Sequence, residues 1–234
     1  MFTVSLIKLI FRDVLTSARE FSSTKYFSQF AQLLKKASEN TNRISRIVCL
    51  GLGKVTSCRI ARIQLYFLLA LKNELGVSEV QVSDPVFSEQ EIDILSQEFG
   101  LEVVESNLEG KFKASPDGQT LFYLPHCPKQ LTNNLLWANW NRDSLSRSLL
   151  VGNSFKRILT HNLKKTIESQ AIFVDLCSEF TLETEIVNSY SSKDIFNDLS
   201  LHSWPSPPQV DWEKWAESEK EPTYPAEDLE FITK

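Results

Sequence analysis

In the first half of the chain, short continuous apolar runs alternate with longer stretches in which apolar residues recur at helical spacing. The run 46–50 has the length and composition of a buried strand, and 80–84, closed by Pro85, is predicted as a second strand. Between them, over 60–71, apolar residues recur at three- and four-residue intervals, which predicts a helix, and Gly76 is suited to end that helix. This stretch is therefore predicted as a strand, a crossover helix and a second strand.

The alternation continues through the middle of the chain. The Ser-x-x-Glu sequence at 88–91 is a capping box, which predicts the start of a helix that runs to Gly100. The other predicted elements are strands at 101–105, 120–124, 148–151 and 171–176 and helices at 131–140 and 155–167. Apolar strands that alternate with helices indicate a mostly parallel sheet with helices on both faces. The predicted fold class is therefore α/β, Rossmann-like and doubly wound.

Three regions are predicted. Residues 44–204 form the Rossmann-like domain, and residues 1–43 form an N-terminal helical extension whose apolar spacing favours an amphipathic helix packed on the domain. The basic residues near the start also resemble a mitochondrial presequence, an alternative that Asp13 and Glu20 weaken. Residues 205–234 are rich in Pro, Glu, Trp and Ser, and we expect an acidic, partly disordered tail.

Composition narrows the class of protein. The 234 residues carry a net charge of -5, which gives no reason to expect a nucleic acid or an anionic membrane surface as a partner. No stretch approaches the ~20 apolar residues of a membrane span. The four cysteines contain no Cys-x-x-Cys pair, so reduced thiols are expected rather than a disulfide framework.

The main candidate for a ligand site is the Gly51-Leu52-Gly53 turn, where the first predicted strand meets the first long helix. Glycines suit such a turn because it needs unusual backbone angles or a close approach, and the following helix directs unpaired N–H groups at an anion. The dinucleotide fingerprint is incomplete, because Ser57 stands where its third glycine would be and Asp84 follows after ~30 residues rather than ~20. A nucleotide site and a purely structural turn both fit.

Other polar residues follow neighbouring strands and are expected at the same edge of the sheet, where doubly wound folds bind ligands. Asp84 stands at the end of the second strand and either accepts hydrogen bonds from a ribose or caps the turn before Pro85. The remaining candidates follow the fourth and fifth strands: His126, Cys127, Asn153 and Ser154. Their convergence is the reason to predict a ligand-binding crevice.

Cys127 has several possible roles. It adjoins His126, so the two cannot both enter one tetrahedral metal site, and no metal site is predicted. As a nucleophile, Cys127 would need a separate base, for which His202 is the candidate. The Cys127-Pro128 dipeptide also occurs at some regulatory haem sites, where the thiolate is the iron ligand.

Seven segments stand in the order found in the "sensitivity to red light reduced" family, and together they span roughly 47–204. The last segment resembles that family's closing Phe-Asn-Asp-Thr-Ser-x-His element, although Leu199 replaces Thr and Trp204 is one residue further from His202 than the family's aromatic residue. The segments are 47–53, 61–65, 84–87, 124–127, 134–140, 152–155 and 196–202.

The resemblance implies a regulator of the cytoplasm and nucleus. The family's plant member is similar to a factor in phytochrome signalling and circadian clock input, and its fungal and animal members are linked to microtubule-drug tolerance and haem metabolism. The family has no settled chemistry, so the resemblance transfers no catalytic residue and no cofactor. The first hypothesis is a regulator in a clock-input or light and stress signalling pathway that acts through a small ligand or a protein partner.

Two alternatives stay open. One is a nucleotide- or S-adenosylmethionine-dependent enzyme in which Gly51, Gly53 and Asp84 hold the cofactor and His126 or His202 moves protons. The other is a haem-responsive regulator that uses Cys127 or His126. If His202 folds back over the sheet, it joins Asp84, His126 and Asn153 around one crevice.

Overall fold

The computed structural model describes residues 14–38, 43–205, 220–225 and 231–233. Its centre is one seven-stranded sheet. The strands are β1 (Ile44–Leu50), β2 (Glu79–Ser83), β3 (Glu102–Val103), β4 (Gln119–Tyr123), β5 (Ser148–Asn153), β6 (Leu182–Glu185) and β7 (Leu199–Ser203). They lie in the order β3-β2-β1-β4-β5-β7-β6. β1 to β5 pair in parallel, and β7 runs antiparallel between β5 and β6. The predicted Rossmann-like, mostly parallel sheet is confirmed.

Helices cover both faces of the sheet. They are α1 (Val14–Ser22), α2 (Lys25–Ser38), α3 (Arg59–Leu75), α4 (Glu89–Gln97), α5 (Lys129–Ala138), α6 (Arg142–Ser146), α7 (Phe155–His161), α8 (Lys164–Gln170) and α9 (Ile172–Ser178). Successive side chains of β1 point to opposite faces, so Ile47 and Cys49 join the core beneath α1 to α3, whereas Val48 and Leu50 join the core beneath α5 and α9. The sheet is therefore buried on both sides.

The helix ends follow the local sequence. α3 ends at Gly76, whose φ of 59° is left-handed and whose N–H bonds back to the last turn, as the glycine predicted. α4 begins with the predicted capping box, in which Ser88 Oγ accepts from the Glu91 N–H and the Ser88 N–H donates to the Glu91 carboxylate at 3.0 Å. Both boundaries are confirmed.

The strand predicted at 171–176 is wrong, because this segment is the helix α9. Asn133 Oδ1 accepts from the Phe173 N–H at 2.7 Å and so satisfies a first-turn N–H, and the buried Phe173, Val174 and Cys177 share one helix face. The helix predicted at 155–167 is two helices, with a break at Asn162, whose ψ of 148° is extended.

The two ends of the chain pack on the domain within the described residues. α1 buries Val14, Ala18 and Phe21, and the Phe21 ring lies edge-on to Phe67 of α3 at 5.9 Å. Residues 1–13, on which the presequence alternative depends, lie outside the described residues, as do 206–219 and 226–230 of the predicted tail. None of the helices in the described ranges is long and apolar enough to cross a membrane.

Candidate functional site

The carboxyl edge of the sheet, formed by the connections after β1, β2, β4 and β5, brings most of the predicted site residues together. β1 leads into Gly51 and Gly53, whose φ values of 68° and 80° are both positive. A Cβ added to Gly51 would lie 2.4 Å from Cys127 Sγ. Glycine is therefore required at position 51 by its backbone conformation and by a close approach, which is a structural reason for the turn.

Asp84 joins the β1 and β2 connections. Its Oδ2 accepts from the Gly53 N–H at 2.7 Å, and its Oδ1 accepts from the Val86 N–H at 3.0 Å. Each carboxylate oxygen thus serves a backbone donor. This geometry matches the turn-capping alternative rather than a carboxylate directed at a ribose.

Cys127 packs against the glycine turn from the β4 side. Its thiol is buried and donates to the Leu50 carbonyl at 3.2 Å, and its own carbonyl accepts from Asn153 Nδ2 at 2.8 Å. Burial, and then the nearby Asp84 carboxylate, raises the pKa of Cys127 far above that of a free thiol. A buried neutral thiol is not a reactive nucleophile, and the structure gives no support for Cys127 as a haem ligand.

Of the predicted site residues, His126 is the exposed one, whereas Gly51, Gly53, Asp84 and Asn153 are half-buried. It is exposed and has a φ of 52°, an uncommon conformation for a residue with a side chain. Its Nε2 lies 2.8 Å from the Ile195 carbonyl in the β6–β7 connection, and Gln64 of α3 donates to the same oxygen at 3.4 Å. Strained residues held by their surroundings cluster at functional sites.

Ser154 lies at the far side of the edge, beyond β5. Its Oγ accepts from the Arg157 N–H at 3.2 Å and caps α7, and its N–H donates to the Asp198 carbonyl at 3.0 Å. It also borders a cavity of about 460 Å³ that includes Lys156 and Glu183. Ser154 therefore serves the start of α7 and does not touch the glycine turn.

The structure does not bring His202 to the carboxyl edge. β7 runs antiparallel from the carboxyl edge into the sheet, so that Leu199 pairs with Asn153 at the edge and His202 pairs with Leu150. His202 therefore lies three residues, or ~10 Å along the strand, from the edge. It is fully buried, stacks on Phe155 with 4.0 Å between ring centroids, and places Nε2 3.9 Å from Glu183 Oε1. Burial lowers the pKa of His202 to about 4, although Glu183 raises it in part. The expectation that His202 joins the crevice is not met.

Sequence reasoning missed the residues that fix the β1–α3 connection. Glu91, only 1% exposed, accepts at 2.9 Å from both the N–H and the hydroxyl of Thr56. Burial raises the pKa of Glu91, but hydrogen bonds from Ser88 and Thr56 outweigh it and lower the pKa overall. The capping box identifies Glu91 in the sequence. Nothing in that motif indicates that Thr56, in a separate loop, also bonds to the Glu91 carboxylate.

The outer part of the edge, here called the rim, consists of exposed residues of the β1–α3 connection, the first residue of α3 and His126. Arg59 donates to Ser192 Oγ at 3.1 Å, so the β6–β7 connection touches the rim twice. Cys58 leaves α3 without a side-chain cap. The rim residues are Lys54, Ser57, Cys58, Arg59 and His126. They offer cationic and hydrogen-bonding groups to a polar ligand, and the described residues contain no group of three His, Cys, Asp or Glu placed to hold a metal.

Among solved structures, the chain is similar to the 23S rRNA methyltransferase ErmE. The two are 11% identical with a TM-score of 0.43, over 82% of this chain and 75% of that one. At this identity and TM-score the likeness carries no conclusion about this chain.

Three named proteins are more similar to the chain in sequence. The chain is 34% identical to the SRR1-like protein of Drosophila melanogaster over 80% of this chain and 65% of that protein. It is 42% identical to the SRR1-like protein of Mus musculus over 57% of this chain and 54% of that protein. It thus spans about half to two thirds of the length of these relatives. It is 30% identical to Protein SENSITIVITY TO RED LIGHT REDUCED 1 of Arabidopsis thaliana over 81% of this chain and 72% of that protein. The SRR1 domain model matches residues 28–203, and the chain therefore belongs to the SRR1 domain family.

Proposed function

We propose that this protein is a regulator that acts through a small ligand or a protein partner bound at the rim. The observation that carries the proposal is His126, which is exposed, held in a left-handed backbone conformation and tied to the Ile195 carbonyl. An occupant that contacts the imidazole would act on the β6–β7 connection through this contact. Binding would thereby change the surface that the protein presents to others.

The polar groups around the glycine turn favour a regulator over an enzyme. The groups that an enzyme would use there serve the fold: Asp84 accepts from two backbone N–H groups, and the Cys127 thiol faces the Leu50 carbonyl. His202, the candidate base for Cys127, lies inside the sheet and does not reach this edge. We therefore propose that the small ligand or protein partner binds at the rim.

The pathway is proposed from the relatives. The Arabidopsis relative is named for reduced sensitivity to red light. By that relationship we place this chain in a light-responsive, clock-input or stress signalling pathway, in the cytoplasm and nucleus.

A thermal-shift panel tests for a small ligand. Purified protein is heated with S-adenosylmethionine, NAD, ATP, coenzyme A and haem in turn. A ligand at about 100 times its dissociation constant adds ~2.7 kcal/mol to the free energy of unfolding, which is on the order of 5 to 10 °C for a chain of this size. We expect the shift to be lost in His126→Ala and kept in His161→Ala, a matched control because His161 is an exposed histidine whose ring contacts the Arg157 carbonyl of its own helix.

If no ligand shifts the transition, the partner form of the proposal is tested with the same variants. Immobilised wild-type protein and His161→Ala should retain one and the same protein from a cell extract, and His126→Ala should not. A retained protein that binds the wild type and both variants equally would refute a regulatory rim. So would the absence of any retained protein, if the ligand panel is also negative.

A further inference from the structure

Residues 220–225 and 231–233, here called the C-terminal strap, are docked on α5 by one hydroxyl group. Tyr224 Oη accepts from Asn133 Nδ2 at 2.9 Å and donates to Asn134 Oδ1 at 3.0 Å, with the Gln130 carbonyl at 3.4 Å as a second acceptor. The three α5 residues are at least 99% buried. The Tyr224 hydroxyl therefore inserts into a set of buried amides on α5.

The rest of the strap adds a few contacts around that hydroxyl. Glu221 pairs with Lys111, and the Ile232 carbonyl accepts from Asn107 Nδ2 at 2.9 Å. Phe231 is only 2% exposed and lies edge-on to the Tyr224 ring with 5.0 Å between centroids. The strap contains no helix or strand, so these side-chain contacts, rather than a backbone ladder, hold it in place.

The site around Tyr224 Oη requires a neutral hydroxyl. Its proton is directed at carbonyl oxygens, and the Glu109 carboxylate lies close enough to oppose negative charge there. Burial is the main cause that raises the pKa of Tyr224 to about 12, in keeping with this geometry. A phosphate at this position would remove the donated hydrogen bond and add roughly 1.5 to 2 negative charges beside acceptors.

The sequence of the strap is suited to an enzyme that acts on extended acidic peptides. Tyr224 lies between two prolines, Pro222 and Pro225, which disfavour regular structure, and acidic residues stand on both sides of it at Glu221, Glu227 and Asp228. We propose that Tyr224 is a phosphorylation site and that its phosphorylation releases the C-terminal strap from α5.

The transfer is an ordinary kinase reaction. Tyr224 Oη attacks the γ-phosphorus of ATP, the bond from that phosphorus to the bridging oxygen breaks, ADP leaves, and the phenolic proton passes to the base of the kinase. Because Oη is covered in the docked state, the strap detaches before it is modified. The phosphate then prevents redocking, so modification shifts the population to the released state.

The test uses the full-length protein, a broad-specificity tyrosine kinase and Mg-ATP, with phosphosite mapping and hydrogen exchange on the product. We expect phosphate on Tyr224 and at least ~10-fold faster exchange in 220–225 and 231–233, as for a segment that opens locally. Tyr224→Phe should lose that phosphate. Thr223→Glu, which adds charge at the adjacent exposed residue, should keep wild-type exchange in the strap.

Two results overturn the proposal. One is the absence of phosphate on Tyr224 after the kinase has modified a control peptide of residues 218–230. The other is a phosphorylated Tyr224 with a strap that exchanges as slowly as in the unmodified protein. If Thr223→Glu releases the strap as fully as phosphorylation does, charge alone drives release and the specific role of Oη is wrong.

Discussion

Gly51→Ala is the substitution that most directly tests the geometry of the carboxyl edge. The new Cβ would meet Cys127 Sγ at 2.4 Å, and the alanine would have to keep a φ of 68°. The backbone conformation costs ~1–2 kcal/mol, and overpacking a buried site adds ~1–3 kcal/mol. We therefore expect the free energy of unfolding to fall by roughly 2–5 kcal/mol, a large share of a typical domain's stability.

Gly53→Ala is the matched control. Gly53 also has a positive φ, of 80°, but its added Cβ would lie 3.6 Å from Ala61 Cβ, an ordinary contact distance. The free energy of unfolding of this variant should fall by only ~1–2 kcal/mol, the cost of the backbone conformation. Urea unfolding of both variants, with an unchanged slope against denaturant, measures the difference.

A double-mutant cycle then isolates the steric contribution. Cys127→Ala removes Sγ, and the next atom that the new Cβ of Gly51→Ala would meet is Cys127 Cβ at 3.8 Å. The double variant should be more stable than the sum of the single effects by ~1–3 kcal/mol. Additive effects, or a Gly51→Ala variant no less stable than Gly53→Ala, would refute the close approach of the β1 and β4 connections.

Two further predictions concern buried titratable groups. The neutral, buried His202 has a folded-state pKa below its unfolded value, so its stabilising contribution is complete above about pH 6.5 and is lost as the pH falls toward 4. Urea unfolding at pH 7 and pH 5 should show that loss, and His202→Gln should reduce it. Glu91→Ala removes an acceptor shared by Thr56 and Ser88 and should cost roughly 2–4 kcal/mol; Glu89→Ala, an exposed acidic residue in the same helical turn, should cost under about 1 kcal/mol in the same assay.

The local elements were predictable where the sequence contains its own boundary signal. Gly76 ends α3 and Ser88 begins α4 because each acts on backbone groups within a few residues. α9 was mistaken for a strand because a short apolar run fits either element. The Asn133 side chain, 40 residues away in the chain, accepts from a first-turn N–H of this helix, and the local sequence contains no sign of that contact.

The last two strands were missed for a related reason. β6 reads Leu-Glu-Thr-Glu and lies at the edge of the sheet, so the period-2 pattern of its sequence is short and mostly polar. β7 contains Ser200 and His202, which are buried because β7 lies between β5 and β6 and is covered by Phe155. A polar residue in an inner strand cannot be identified from composition, because its burial depends on neighbours from other parts of the chain.

The convergence of the site residues was predictable, but their roles were not. Parallel strands place their following loops at one edge, and this rule alone brought Gly51, Asp84 and Cys127 together. Whether a polar group at that edge serves the fold or a ligand depends on tertiary distances of a few ångströms. Asp84 illustrates the first case, since its two carboxylate oxygens accept from the Gly53 and Val86 N–H groups.

His126 illustrates the other case. The residue is exposed, its backbone is held in a left-handed conformation, and the contact that orients its ring comes from a loop that follows a strand absent from the sequence prediction. The feature that most favours a functional role was thus set by the β6–β7 connection, which the periodicity of the sequence did not reveal. Tyr224 is a similar case, because its hydroxyl binds α5 amides that lie about 90 residues earlier in the chain. The sequence around Tyr224 does not indicate this contact. In this fold the local sequence determines where polar groups gather, and long-range contacts determine which of them the fold already uses.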